Sequence, residues 1–298
     1  MVFTDTDVAT VLGYATAGAI YTFNKANVCQ NLVSMKACPA GSINARFPVY
    51  SNLASSNVQA LNAGAEADTD PTARAITVAP SDIEVLRYTT RADLTDLAVH
   101  GNEMNLYRDA GQILGNAMAA KFDNVVTSLF DGFTGNAIDS SDNAMSLADW
   151  FTAIQYLRED NAPAPYNAVL SVGQVWGAYG LSTLIGSDDF SAQSNKGDEF
   201  LNTGYIASLA GVAIYYTPEL VENLSASSNC AKGAMFSKQA LGVGYIDKGG
   251  SQFISVETQR DASLATTELV CNGYFAAAEL VDNFGCELFT RVNTDQSS

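Results

Sequence analysis

At 298 residues the chain can form one large domain or two, and a chain of this size buries roughly 75% of the surface its unfolded form exposes. Hydrophobic residues make up 47% and charged residues only 16%, against about 25% charged in an ordinary globular domain, so part of the surface is suited to meeting other protein. A net charge of −17 disfavours a patch that holds phosphates, and five cysteines without a C-x-x-C pair beside one histidine leave almost no ligands for zinc, so neither sequence-specific nucleic-acid binding nor any cofactor is expected.

The odd number and wide spacing of Cys29, Cys38, Cys230, Cys271 and Cys286 favour reduced thiols in a cytoplasm. The N-terminal stretch carries Asp5 and Asp7 where a signal peptide needs positive charge, and its apolar run from Val8 to Ile20 is too short to span a bilayer, so no secretion and no membrane anchor are expected. A short helix near Asp7 to Ile20 fits this Ala- and Thr-rich start, which reads as an arm.

From Ile43 to Tyr50 the residues alternate, and Ile76, Val78, Ile83 and Val85 repeat the period of two, which predicts two half-buried strands. Pro80 suits an edge or a bend. Between the strands lie the small, polar residues Ser51 to Arg74, and an isolated two-stranded ribbon of this kind is marginal in water, so it is expected to lean on another subunit.

Asn102 to Asp131 places Leu106, Ala110, Ile113, Leu114, Ala117, Phe122, Val125, Val126, Leu129 and Phe130 at three- and four-residue steps, which predicts one long amphipathic helix ended by the glycines of GFTGN. Ser146-Leu-Ala-Asp149 has the form of a helix-starting cap, with a helix to about Arg158. A short buried strand follows at Ala168 to Val172, a helix at Gln174 to Ile185, and a buried strand at Leu209 to Tyr216. Loop, strand and short helix recur through Glu222 to Gly244. Gln252 to Arg260 alternates, and Thr267 to Ala278 and Cys286 to Val292 are read as strands.

Candidate chemistry is sparse. His100 stands just ahead of the long helix, where a polar residue beside a helix start accounts for it, and no Ser or Cys nucleophile has a second histidine to pair with. Gly242-Val-Gly244 and Gly249-Gly250 lack both phosphate-loop spacings. The pairs Glu159-Asp160, Asp188-Asp189 and Asp198-Glu199 leave open an acidic hydrolase, although solvated charge accounts for each. Trp150 and Trp176 fall inside predicted helices and are expected to pack in the core. Arg46, Arg74, Arg87, Arg91 and Arg108 offer ion pairs to the acidic middle third, residues 101–200, which holds thirteen acids and four bases.

An arm, a long two-stranded excursion, a long helix and then alternating helices and buried strands resemble the tailed-phage major capsid family, the Hong Kong ninety-seven capsid fold. Three stretches carry the resemblance: Phe47 to Asp131 as extended loop and spine helix, Tyr205 to Pro218 as an apolar strand closed by proline, and Met235 to Tyr245, which is similar to the family's short helix after a strand. The resemblance implies an α+β capsid fold, with an N-terminal arm over 1–41, an extended loop over 42–90, a peripheral domain with the spine helix over 91–145 and 251–265, and an axial domain over 146–250 and 266–298. It implies no enzyme and no active site. It implies a subunit that assembles with itself into hexamers and pentamers of an icosahedral shell, in the host bacterial cytoplasm, enclosing double-stranded DNA in the virion. Portal and scaffolding proteins, and in some relatives a cement protein, are the further partners. An encapsulin-type nanocompartment shell is the runner-up within the fold.

The expected inter-subunit contacts are Arg46, Asn57, Asn62, Arg74, Arg87, Arg91, Glu222, Asn229 and Lys232, with the axial loop at Glu222 to Lys232. Some relatives crosslink a lysine to an asparagine, but Ser51 to Ala73 has Asn52, Asn57 and Asn62 and no lysine, so cohesion is expected to be non-covalent. A short arm after Met1 implies that scaffolding comes from a separate protein.

Overall fold

Alternating apolar and polar residues put much of this chain into strands, and the computed structural model gathers them into two sheets and a separate ribbon. It describes residues 15–23, 26–50, 78–97, 106–140, 143–177, 179–181, 208–220, 222–225, 228–247 and 253–292. The first sheet is built on β12 (Thr266–Glu279), the longest described strand. β4 (Leu86–Thr95) pairs antiparallel along one edge of β12, from Leu86 opposite Phe275 to Thr95 opposite Thr266. On the other edge lie β11 (Ile254–Asp261) and β10 (Leu241–Tyr245), also antiparallel, and β1 (Ser34–Ala37) closes the sheet parallel to β10.

Helix α2 (Leu106–Thr127) lies on this sheet and buries Leu114, Met118, Phe122 and Val126 against it. Phe122 meets Phe275 at 5.1 Å between ring centroids and Phe253 at 5.7 Å. Each such fully buried ring contributes about 1.5–3 kcal/mol of transfer free energy. The helix is shorter than the stripe of apolar residues predicts: its 22 residues make a rod of about 33 Å, and residues 98–105, with His100, lie outside the described residues. It stops at Thr127 because Phe130 and Phe133 both turn inward from a short 3-10 turn (Phe130–Gly132) to pack against Phe236. Ile113, assigned to the apolar face, points to solvent at 68% exposure, since the buried stripe runs through Ala110, Gly111, Leu114 and Gly115.

The predicted arm helix appears as α1, residues 15–23, and it is docked rather than free. Ala15, Ala19 and Phe23 are buried, and a Cβ placed on Gly111 or Gly115 would fall 2.4 Å from the backbone oxygen of Ala15 or Ala19 respectively. Only glycine allows the two helix backbones to approach this closely. The chain is then held again where the amides of Val28 and Cys29 donate to the two oxygens of buried Asp123, at 3.1 and 3.0 Å. Burial pushes the Asp123 carboxyl above the usual carboxylate range despite these bonds.

The second sheet runs in the order β5 (Ala137–Ser140), β13 (Gly285–Arg291), β9 (Ser228–Ser237), β6 (Tyr166–Ser171), β7 (Ala213–Thr217), with β8 (Glu222–Ser225) paired to β9. Helix α3 (Leu147–Glu159) covers it, burying Trp150, Ala153, Ile154 and Leu157. It starts as the sequence predicts: Ser146 Oγ accepts from the Asp149 amide at 3.1 Å and the Ser146 amide donates to Asp149 Oδ2 at 3.0 Å.

Other expectations need correction. Within the helix foreseen at Gln174 to Ile185, the five-residue α4 (Val172–Trp176) closes at Gly177, where a Cβ would lie 2.1 Å from the Val292 oxygen, and the chain is helical again at Leu181; residues 178 and 182–185 lie outside the described residues. Trp176 is therefore 45% exposed, whereas Trp150 is a core residue. The buried strand foreseen at Leu209 to Tyr216 begins only at Ala213, after a turn with positive φ at Ala210 and Gly211, and as an edge strand it leaves Tyr215 and Tyr216 partly exposed. No helix forms over Met235 to Tyr245. There β9 turns through residues 238–240 into β10, because Met235 and Phe236 must enter separate cores on opposite faces of one strand.

β12, placed by the resemblance with 266–298, is hydrogen-bonded into the sheet beneath α2; β5, placed with 91–145, pairs with β13 in the other sheet.

Candidate self-assembly surface

A ribbon of β2 (Asn44–Tyr50) and β3 (Val78–Glu84) stands apart from both sheets, in register from Asn44 opposite Glu84 to Tyr50 opposite Val78. Pro48 faces Pro80 directly, so neither proline removes a donor that its partner needs at that step. The base is anchored: Ala45, Phe47 and Ile83 are buried and pack with Ala276, Ala278 and Leu280. Gly244 of β10 makes this possible, since a Cβ there would sit 2.7 Å from that of Ala45. Past Phe47 the ribbon leaves the body, with Tyr50 at 64% and Val78 at 47% exposure. Residues 51–77, which hold Asn57, Asn62 and Arg74, lie outside the described residues.

Among the described residues, the basic residues expected at contacts, Arg46, Arg87, Arg91 and Lys232, are all engaged within their own chain. Arg46 donates from Nε and one terminal nitrogen to the two oxygens of Asp82 at 2.7 and 2.9 Å, which holds the Asp82 carboxyl below its ordinary range. The pair bridges β2 and β3 on the solvent face. Arg87 donates twice to Asn272 Oδ1, at 3.1 and 2.8 Å, and so serves a buried amide on the neighbouring strand. Arg91 pairs with Asp93 at 2.7 Å and Glu268 at 3.5 Å.

Lys232 pairs with Asp131 and, at 3.1 Å, with Glu287, and lies over the Phe289 ring. Those contacts raise its pKa, the Asp131 hydrogen bond foremost. Glu222 and Asn229 stand on the β8–β9 hairpin, where Glu222 is opposite Ala231 and Leu224 opposite Asn229. The axial loop is thus a hairpin over most of its length.

Among the described residues, the carboxylate pair Glu159-Asp160 assembles no site. Glu159 accepts from Gln155 at 2.7 Å, and Asp160 accepts from Asn136 at 2.9 Å. Asp188, Asp189, Asp198 and Glu199 lie outside the described residues. Gly242 and Gly244 lie in strand β10, not in a loop. All five cysteines are free thiols. Among the described residues no three His, Cys, Asp or Glu side chains come together as a metal ion would require, and no helix is long and apolar enough to cross a membrane.

A family model described as phage capsid protein matches residues 77–284. The chain belongs to the phage capsid protein family. No curated protein matches this capsid chain. Among solved structures it is similar to the capsid of cyanophage P-SCSP1u, at 18% identity and a TM-score of 0.66, covering 90% of this chain and 89% of that one. It is also similar to the head structure of Helicobacter pylori bacteriophage KHP40, at 12% identity and a TM-score of 0.62, covering 91% of each chain. The holo-SrpI encapsulin of Synechococcus elongatus matches at 12% identity and a TM-score of 0.55, covering 90% and 89%.

The fold of this capsid protein is therefore the α+β fold of tailed-phage capsids, and its family role is that of a shell subunit built from copies of itself. Sequence reasoning missed two features of the surface: the docking of α1, for which the spacing of Ala15 and Ala19 against Gly111 and Gly115 was the available signal, and the whole of β4, whose alternation Tyr88, Thr90, Ala92, Leu94 was legible.

Proposed function

We propose that copies of this protein form hexamers and pentamers of an icosahedral shell that encloses double-stranded DNA, that assembly takes place in the host bacterial cytoplasm, and that portal and scaffolding proteins, with a cement protein where the shell is reinforced, take part. The observation that carries this reading is the ribbon: a two-stranded sheet fixed at its base and exposing an apolar cross-strand pair, Tyr50 and Val78, is marginal unless another surface receives it. The acidity of the chain, −17 overall, suits a wall that contains DNA without gripping it. In this reading α2 with the β12 sheet forms the peripheral unit and α3 with the β9 sheet the axial one. The phage role is preferred to the encapsulin one because the TM-scores to the two phage structures, 0.66 and 0.62, exceed the 0.55 to the encapsulin.

Arg46, Asn57, Asn62, Arg74, Arg87, Arg91, Glu222, Asn229 and Lys232 remain the proposed contact residues, the engaged cations acting by holding their strands in place and meeting a neighbour with their exposed sides. The test is deletion of Ser51 to Ala73, followed by electron microscopy and sedimentation. The expected result is a folded, soluble subunit that makes no shells where the full chain does; normal shells from the deletion would overturn the role given to the ribbon. Nucleic acid within purified particles is expected, and particles that hold only protein cargo would decide for the nanocompartment.

A further inference from the structure

Between the ribbon and the end of α3 runs a groove of about 790 Å³. One wall is β2, from Phe47 to Tyr50, whose outward edge is closed to an added strand by Pro48, which has no N–H, and by Lys36, which donates to the Arg46 carbonyl at 2.6 Å. The other wall is apolar through Pro163, Leu280 and Phe284, and its rim is negative. Asp160 and Asp282 both line the groove, and Asp282 Oδ1 is buried without a hydrogen-bond partner while Oδ2 accepts from the Gly135 amide at 2.9 Å. Helix α3 ends at this rim, with Asp160 as its cap and Asn161 at a φ of 56°, so the partial negative charge of the helix terminus adds to the two carboxylates. No lysine or arginine lines the groove.

We infer that this groove is a docking site for a lysine- or arginine-bearing stretch of a second copy of the chain, which lays apolar side chains against Phe47, Pro163, Leu280 and Phe284 and sets its cation against Asp160 and Asp282. The inference rests on the reading of the protein as a self-assembling shell subunit. Two observations converge on one chemistry: apolar walls receive apolar side chains, and a rim with two acids and a helix C-terminus receives a positive charge. The exposed pair Tyr50 and Val78 extends the apolar wall beyond the groove, in the direction in which the ribbon leaves its own subunit.

The experiment places a cysteine at exposed Gln239 on the groove lining, Gln239→Cys, carrying a benzophenone photocrosslinker on a small fraction of the subunits. Shells are assembled from the purified chain alone, with equal parts ordinary and heavy-nitrogen protein. Illumination is expected to give crosslinked peptides that join light to heavy chains, from shells and not from unassembled subunits. Crosslinks only within one isotope would show that the chain's own residues fill the groove, and the absence of crosslinks in well-formed shells would show that it stays open; either overturns the inference while leaving the shell function intact. Failure of the unlabelled chain to form shells, both alone and together with its scaffolding protein, would overturn the functional reading and the inference with it. In parallel, Asp160→Asn with Asp282→Asn is expected to raise the concentration needed for assembly by about tenfold, with thermal unfolding of the subunit unchanged and the difference shrinking at high salt; assembly identical to the parent's would count equally against it.

Discussion

Gly111→Ala separates two opposed effects of one methyl group. In a solvent-exposed helix, alanine in place of glycine stabilises by about 1 kcal/mol through its higher helix propensity. Here the new Cβ would lie 2.4 Å from the backbone oxygen of Ala15, and an ordinary contact needs about 3.4 Å, so α1 must retreat by about 1 Å. Because the atom encountered is backbone, no side-chain rotation relieves the clash. Overpacking of this kind costs about 1–3 kcal/mol. The retreat also loosens the edge-on contact of Phe23 with Phe253, whose ring centroids are 5.2 Å apart. The net expectation is a loss of about 1–2 kcal/mol, or about 2–3 °C in the thermal midpoint for a chain of this size. Differential scanning calorimetry of the unassembled subunit measures it, and hydrogen exchange over residues 15–23 should quicken. Gly18→Ala, whose Cβ would meet the Arg108 oxygen at 3.1 Å, should lose less. A midpoint that rises for Gly111→Ala would refute the close approach of α1 to α2.

Asp123→Ala strands the amides of Val28 and Cys29 and should cost about 2–4 kcal/mol. Because burial raises the folded pKa of Asp123 above the unfolded value of about 3.9, its contribution is fully present below that value and is lost as the pH rises through the folded one; urea midpoints should show the parent losing ground to Asp123→Asn as the pH is raised above the unfolded value. Ser146→Ala removes one half of the capping box of α3 and should cost about 0.5–2 kcal/mol in chemical unfolding, with Ser146→Asn restoring most of it. Arg46→Ala breaks an exposed cross-strand pair, so it should leave subunit unfolding unchanged; a reduced assembly rate in light scattering would assign the residue to inter-subunit register.

Sequence reading worked where local chemistry decides the outcome. The start of α3 was legible because Ser146 and Asp149 satisfy each other's backbone groups within one turn. The ribbon and β11 were legible because period-two alternation survives wherever one face is buried. It failed where partners distant in sequence decide. Met235 to Tyr245 carries apolar residues on both sides of a strand, and such a run is ambiguous between strand and helix until Met235 is seen to enter one core and Phe236 another. The shortness of α4 depends on the Val292 oxygen, more than a hundred residues away in the chain. The contact surface was the least legible part, because a lone arginine in a sequence does not reveal that Asp82, Asn272 or Glu268 already engages it.

Those engagements bear on how a shell subunit of such low charge density makes specific contacts. Arg46 to Asp82, Arg87 to Asn272 and Arg91 to Glu268 each join adjacent strands of the ribbon or of the sheet that supports it. Exposed ion pairs contribute little to stability, so their value lies in register: a one-residue slip in β2 against β3 would turn Ala45 and Phe47 out of the pocket at Gly244 and reverse the face that Tyr50 presents. The close approach of Ala45 to Gly244 fixes the root of the ribbon, and the Arg46 pair, one residue further on, fixes its twist. A ribbon held at its root and kept in register as far as Tyr50 and Val78 presents that exposed pair in one defined direction. Repeated contacts between copies require that constancy.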